Sequence, residues 1–146
     1  MPGLNLTRDE ARERARLLEV ASYDVALDLT TGEKTFDSVT TVRFRAQPGT
    51  STFIDLVAPN VRRATLNGRE LDPLTAFDGA RVQLDGLTDD NELVVEADCA
   101  YMHTGEGLHR FVDPVDGEVY LYTQFEVIDA RRMFTCFDQP DLKATY

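Results

Sequence analysis

Gln124 and Glu126 lie two residues apart near the end of the sequence, and together they could bind a positively charged amine. Residues 118–126 around them are rich in Val, Tyr, Leu and Phe, which predicts a β-strand. Because successive side chains of a strand point to opposite faces, the amide and the carboxylate would share one face. An ammonium group has three N–H donors and no acceptor, so this pair of acceptors matches it. The same alternation is typical of an exposed edge strand, and the spacing alone favours that structural interpretation.

The residues on both sides of this pair resemble a known protein family. The matching parts are Thr-Gln-Phe-Glu at 123–126, Ala-Arg-Arg at 130–132, Cys-Phe-Asp-Gln-Pro-Asp-Leu-Lys-Ala at 136–144, Gly-Leu-His-Arg-Phe at 107–111 and Ile-Asp-Leu at 54–56. Together they are similar to the N-terminal domain of the aminopeptidase N family, which are zinc metallopeptidases of the gluzincin group. Two positions depart from the family's usual residues, with Thr135 in place of Pro and Gln139 in place of Glu.

The resemblance implies that Gln124 and Glu126 line an active-site cleft and hold the free N-terminus of peptide substrates. A gluzincin binds zinc through His-Glu-x-x-His on a helix, and neither His103 nor His109 belongs to such a motif. We therefore expect no catalytic residue and no metal ligand in this chain, and no activity of the chain alone. It would be an N-terminal domain truncated at its C-terminal end, with the zinc and the catalytic domain in the missing part of the same polypeptide.

Two functions of other classes are also compatible with the sequence. The intact protein could be a non-catalytic relative that uses this domain as a scaffold or interaction domain, although the presence of both Gln124 and Glu126 argues against this. The chain could instead be an independent β-sandwich binding module, for instance for carbohydrate. The sequence contains no Trp, which is the preferred side chain for stacking on sugars, while its five tyrosines leave this alternative open.

Charge and hydropathy argue against several partners. The net charge of −11 is unfavourable for binding a phosphate backbone, so we expect no nucleic-acid partner. No apolar run approaches the roughly 18 residues that a membrane span needs. The first residues also lack a basic segment followed by an apolar core. We therefore expect no membrane contact and a cytoplasmic location.

Two further groups of residues have structural interpretations. Cys99 and Cys136 are expected to be buried free thiols. A metal site formed by these cysteines and the two histidines is a much less favoured alternative, because no pair has the close spacing of a zinc knuckle. Arg131 and Arg132 could bind a substrate carboxylate. Because they lie beside Asp129 and Asp138, the favoured interpretation is that they form ion pairs within the protein and fix the loop after the 118–126 strand.

Residues 1–20 are predicted to form a short helical segment. Thr7 and Glu10 have the spacing of a capping box, which predicts that a helix begins here and extends to about residue 20. Glu10 and Arg14 are spaced for an ion pair within this helix. Its apolar stripe is thin, so we expect the segment to rest on the surface of the domain.

Residues 21–146 show the pattern of one β-rich domain. The hydrophobic period changes to two at Tyr23, and a turn centred on Gly32 predicts a hairpin. Asn67 and Gly68 indicate a second, tight hairpin. The inward side chains of the longest predicted strand are Phe36, Ser38, Thr40, Val42, Phe44 and Ala46. Short strands at this spacing, without a central helix, predict a mainly β protein built as an antiparallel β-sandwich or as saddle-like sheets.

Overall fold

The computed structural model describes residues 5–126 and 128–146. Its helices and strands are, in chain order, α1 Arg8–Leu17, β1 Leu18–Asp28, β2 Thr35–Ala46, β3 Thr52–Asp55, β4 Asn60–Leu66, β5 Arg69–Leu71, α2 Pro73–Ala76, β6 Arg81–Leu84, β7 Asp90–Ala100, β8 Gly107–Val112 and β9 Val119–Gln124. One turn of 3-10 helix, Ala130–Arg132, follows β9. The predicted mainly β fold with a short N-terminal helix is confirmed. No helix in the described residues is long and apolar enough to cross a membrane.

The sheets are antiparallel, and the buried apolar residues form one core. The largest sheet has the strand order β1-β2-β7-β4-β5, while β3 pairs with β6 and β8 pairs with β9. The alternation predicted for β2 is confirmed, because every second side chain from Phe36 to Ala46 is buried. Ile54 and Leu56 lie at the centre of the same core and are fully buried.

The turns predicted from glycine positions are also present. Asn67 and Gly68 have φ values of 53° and 79° and join β4 to β5. Both central residues therefore adopt the left-handed conformation of a two-residue hairpin loop. The turn around Gly32 joins β1 to β2.

Helix α1 begins as predicted but is bound differently. The capping box is present, since Thr7 Oγ1 accepts from the N–H of Glu10 and the Glu10 carboxylate accepts from the N–H of Thr7. The helix ends three residues earlier than predicted, where β1 begins. The predicted Glu10–Arg14 ion pair is wrong: Glu10 pairs with Arg81 at 2.7 Å, and Arg14 pairs with Asp55 at 2.8 Å. The helix is therefore tied into the domain and does not merely rest on it.

The sequence missed two elements. Helix α2 is short, begins with Pro73, and is capped by the side chain of Asp72, which accepts from the N–H of Leu74. Strand β8 covers Gly107–Val112, where the sequence analysis assigned no strand, and it forms a hairpin with β9.

Both cysteines are free and buried, as predicted. Burial raises the pKa of the Cys99 thiol to about 12, and burial raises the pKa of Cys136 well above its usual value. Each thiol is therefore neutral at physiological pH and is shielded from oxidants and alkylating reagents.

Candidate functional site

The β8–β9 hairpin carries Gln124 at its base, opposite Gly107. Most of the hairpin is exposed on both faces, and its exposed apolar residues are Phe111, Val112, Val115, Val119, Tyr120, Leu121 and Tyr122. Gly107 fixes the base, because its φ is +63° and a Cβ there would lie 2.9 Å from Cβ of Arg132. A residue without a side chain thus lets the hairpin approach the 3-10 turn closely.

The strand that contains Gln124 ends sooner than predicted. Strand β9 stops at Gln124, and Glu126 lies in a turn, so the predicted extension to 126 is wrong. Two causes are visible. The partner strand begins at Gly107, which leaves no ladder partner beyond Gln124, and Gln124 Oε1 accepts from the N–H of Glu126 at 2.8 Å. A turn, and not strand alternation, therefore relates the two side chains.

The turn leaves acceptors available at this point. The Glu126 side chain is exposed, and within the described ranges its carboxylate has no hydrogen bond or ion pair. The amide oxygen of Gln124 uses one of its two lone pairs on the N–H of Glu126, so it can accept one further bond. Phe125 between them is half-buried and packs edge to face on Phe134, with ring centroids 6.1 Å apart. The two polar residues therefore flank an anchored aromatic ring.

The loop after Glu126 is held by ion pairs. Arg132 Nε lies 2.9 Å from the carboxylate of Asp129, and the buried guanidinium of Arg131 lies 3.8 Å from Asp55. The backbone N–H of Arg131 donates to Asp138 at 3.2 Å. The expectation that both arginines pair within the protein is confirmed, although the charged partner of Arg131 comes from β3.

Asp55 is the centre of this buried network, and the sequence analysis did not identify it. Its Oδ2 accepts from Arg14 Nη1 at 2.8 Å and from the backbone N–H of Asp138 at 3.0 Å. Its backbone forms two hydrogen bonds with Cys136. The local signal is a charged residue between the core residues Ile54 and Leu56, because a charge in such a place requires a buried partner.

Asp138 extends the network toward the surface. Burial raises the pKa of its carboxyl above the usual value, and the hydrogen bond from the N–H of Arg131 opposes that rise. A cavity of about 320 Å³ lies beside it, with Phe125, Cys136 and Tyr146 also in its wall. Neither Gln124 nor Glu126 lines this cavity, so the candidate amine site is the exposed turn itself.

The described residues do not fit a metal site. Within residues 5–126 and 128–146, no three His, Cys, Asp or Glu side chains are grouped as a metal ion requires. The rings of His103 and His109 lie 6.4 Å apart, and the Nδ1 atom of each is already engaged by the backbone, with Arg110 and Gly105 respectively. The alternative of a site built from both cysteines and both histidines therefore has no support in this part of the chain.

Comparisons with known proteins agree with this architecture. Residues 19–146 match the family model described as the peptidase M1 N-terminal domain. The chain is 61% identical to aminopeptidase N of Streptomyces lividans over 150 residues, which covers 100% of this chain and 18% of that protein. It is 26% identical to aminopeptidase N of Lactobacillus delbrueckii subsp. lactis, over 85% of this chain and 15% of that protein. The chain thus spans less than a fifth of the length of either relative.

Solved structures share the fold at low sequence identity. Yeast LTA4 hydrolase in complex with bestatin superposes with a TM-score of 0.70 at 18% identity, covering 96% of this chain and 26% of that one. An M1 zinc metallopeptidase from Deinococcus radiodurans superposes with a TM-score of 0.67 at 21% identity, covering 88% and 31%.

Proposed function

Because this chain belongs to the peptidase M1 N-terminal domain family, we propose that it binds the free N-terminus of peptide substrates in a zinc-dependent aminopeptidase. In this proposal the carboxylate of Glu126 pairs with the α-ammonium, and the amide oxygen of Gln124 accepts a second N–H bond. The observation that carries it is the exposed carboxylate of Glu126, which has no partner among residues 5–126 and 128–146, beside Gln124 on a turn that Phe125 anchors to Phe134.

The physical role of such a site is positioning. A charge-assisted hydrogen bond to the ammonium contributes on the order of 1.5–3 kcal/mol where water is excluded. Holding the N-terminus at a fixed point also fixes the distance to the first peptide bond, which limits cleavage to the end of the chain. A blocked N-terminus would leave Glu126 desolvated without a partner, so such a peptide is rejected.

Zinc and the hydrolytic residues are assigned, in the same proposal, to a further domain of the intact protein. The relatives include M1 zinc metallopeptidases, and the described residues of this chain do not fit a metal site. Purified chain of residues 1–146 is therefore expected to give no turnover of aminoacyl reporter substrates when zinc is added. Zinc-dependent turnover by this chain would contradict the assignment.

The decisive test is Glu126→Ala in the intact enzyme. We expect kcat/KM for a reporter with a free N-terminus to fall roughly 10- to 150-fold, which corresponds to the loss of one charge-assisted bond. The same reporter with an acetylated N-terminus lacks the ammonium, so its hydrolysis should change little and the preference for free termini should weaken. Steady-state kinetics on both reporters measures this ratio.

The matched control is Glu118→Ala, which removes an exposed carboxylate just before the start of β9, at the other end of that strand. It should leave both reporters unchanged. If Glu126→Ala keeps the parent's preference, or if Glu118→Ala weakens it equally, Glu126 is not the amine receptor.

A further inference from the structure

Helix α1 lies outside the residues that match the family model, yet its side chains enter the centre of the domain. The match begins at residue 19, after the helix ends at Leu17. Arg14 on this helix is only 1% exposed, and its Nη1 donates to Asp55 and to the carbonyl of Phe53. Its guanidinium also lies 4.7 Å from the centre of the Phe53 ring, within the range of a cation–π contact.

Gln139 binds this helix with both ends of its amide. Its Oε1 accepts from Arg14 Nε at 3.0 Å, and its Nε2 donates to the backbone carbonyl of Ala11 at 2.8 Å. A glutamate at this position could accept from Arg14 but could not donate to the carbonyl of Ala11. The amide of Gln139 is thus matched to helix α1, whereas a carboxylate would place two acceptors against each other.

These contacts continue to the loop that carries Glu126. Asp55 Oδ2 accepts both from Arg14 and from the backbone N–H of Asp138, and its Oδ1 lies 3.8 Å from Arg131. Arg131 belongs to the 3-10 turn that begins four residues after Glu126, and its N–H is bound by Asp138. The helix, strand β3 and this loop are therefore joined through one set of buried and partly buried polar side chains, here called the α1 clasp: Arg14, Asp55, Arg131, Asp138 and Gln139.

We propose that the α1 clasp sets the position of the Glu126 turn, and that Arg14 and Gln139 are positioning residues for recognition of the substrate N-terminus. This inference rests on the proposed role of Glu126. It explains why a buried charge network occurs where an apolar cluster of similar volume would often be at least as stable, because hydrogen bonds fix directions that apolar contacts leave open. It also makes helix α1 part of the recognition unit, although the helix precedes the family match.

The test uses Gln139→Glu in the intact enzyme. The variant retains the shape of the side chain and its bond from Arg14 but loses the bond to Ala11, so the loop is displaced without unfolding. We expect KM for a reporter with a free N-terminus to rise on the order of fivefold, with kcat changed by less than about twofold, because binding of the ammonium is common to the ground state and the transition state. Hydrogen exchange should become faster at the amides of residues 129–139.

A second pair of variants separates positioning from stability. Arg14→Met removes the clasp's link to Asp55, and Arg16→Met is its matched control, since Arg16 on the same helix pairs with Glu13 in solvent. Arg14→Met should reproduce the rise in KM and the faster exchange, while Arg16→Met should change neither. If Arg14→Met does not fold, Gln139→Glu decides alone.

The outcomes distinguish this inference from the proposed function. A lower melting temperature in Gln139→Glu with unchanged KM and unchanged exchange at 129–139 would overturn the clasp as a positioning device, while Glu126→Ala could still show the amine receptor. If Glu126→Ala leaves the preference for free termini intact, the proposed function fails first. In that case faster exchange in Gln139→Glu would show a structural link with no role in recognition, which also overturns the inference.

Discussion

The five-stranded sheet and the β8–β9 hairpin both contain many apolar residues, but these residues are buried in the sheet and exposed in the hairpin. In the sheet, Val42 and Leu93 are cross-strand partners and both are fully buried. In the hairpin, Phe111 and Tyr120 are also cross-strand partners, yet each is about half exposed. The apolar side chains of the sheet pack in the core, whereas the hairpin presents apolar side chains to solvent on both faces.

The carboxylates of Asp55 and Glu126 differ in burial in the same way. Asp55 is 1% exposed and is bound by Arg14 and by the N–H of Asp138, so its charge is used inside the domain. Glu126 is exposed and is unpaired among residues 5–126 and 128–146. Buried charges need partners within the protein, and a charge that is held at a fixed place without one is available to a ligand. The candidate site therefore lies where the anchored part of the domain meets the exposed hairpin.

The largest expected difference in the free energy of unfolding is between alanine variants of two strand leucines. Leu93→Ala removes a fully buried side chain of β7 and should lower the free energy of unfolding by about 2–5 kcal/mol. Leu121→Ala changes a residue of β9 that is 39% exposed and should cost less than about 1 kcal/mol. Urea denaturation of both variants measures the difference. Equal costs would show that the hairpin contributes to the core as much as the sheet does.

A smaller difference in stability is expected between alanine variants at the two ends of the hairpin. Gly107 at the base and Gly117 at the tip both have positive φ, at +63° and +75°. An added Cβ at Gly107 would lie 2.9 Å from Arg132, while at Gly117 it would meet nothing within 4 Å. Gly117→Ala should therefore cost about 1 kcal/mol from backbone strain alone, and Gly107→Ala about 2 kcal/mol from strain and displacement together.

Thermal unfolding of the two glycine variants provides the measurement. Gly107→Ala should also disturb the neighbouring Glu126 turn, which hydrogen exchange can detect. If the two variants were equally stable, contact between the hairpin base and Arg132 would not anchor the hairpin.

Patterns that repeat along the sequence predicted most of the large sheet. The burial of every second residue in β2 and the hairpin at Asn67 and Gly68 depend on neighbours in the chain, so period and turn chemistry were sufficient. The capping box at Thr7 was found for the same reason, since its two partners are three residues apart.

The contacts that position the candidate site were not predictable in this way. Arg14 is bound to Asp55 and Gln139, which lie 41 and 125 residues further along the chain. Local spacing instead predicted a pair between Glu10 and Arg14, and the tertiary partners replaced it. The residues Gln124 and Glu126 were selected through a family resemblance, and their geometry was predicted wrongly because the end of β9 depends on where β8 begins. Their role in binding an amine stays a prediction.

The smallest effect concerns the second ion pair of helix α1. The hydrogen bond and charge of Arg81 lower the pKa of the Glu10 carboxyl from 4.5 to about 2. A carboxyl whose pKa is lowered by folding contributes stability above its unfolded pKa, and that contribution is lost as the pH falls from about 4.5 through about 2. Because the Glu10 side chain is partly exposed, solvent screening limits the contribution to about 1 kcal/mol.

The variant Glu10→Gln tests whether the Glu10–Arg81 pair contributes this stability, and it allows a comparison with the solvent-exposed pair of Arg16. At pH 6 the variant should be less stable than the parent by about 1 kcal/mol, and the difference should shrink to a small fraction of this at pH 2, where about half of the parent carboxyl is protonated in the folded state. Denaturant midpoints at a series of pH values measure the difference. Arg16, whose partner Glu13 lies in solvent on the same helix, supplies the control: Arg16→Gln should change the midpoint little at either pH. A Glu10→Gln difference that persists unchanged at pH 2 would mean that the carboxylate's charge does not hold helix α1 to β6.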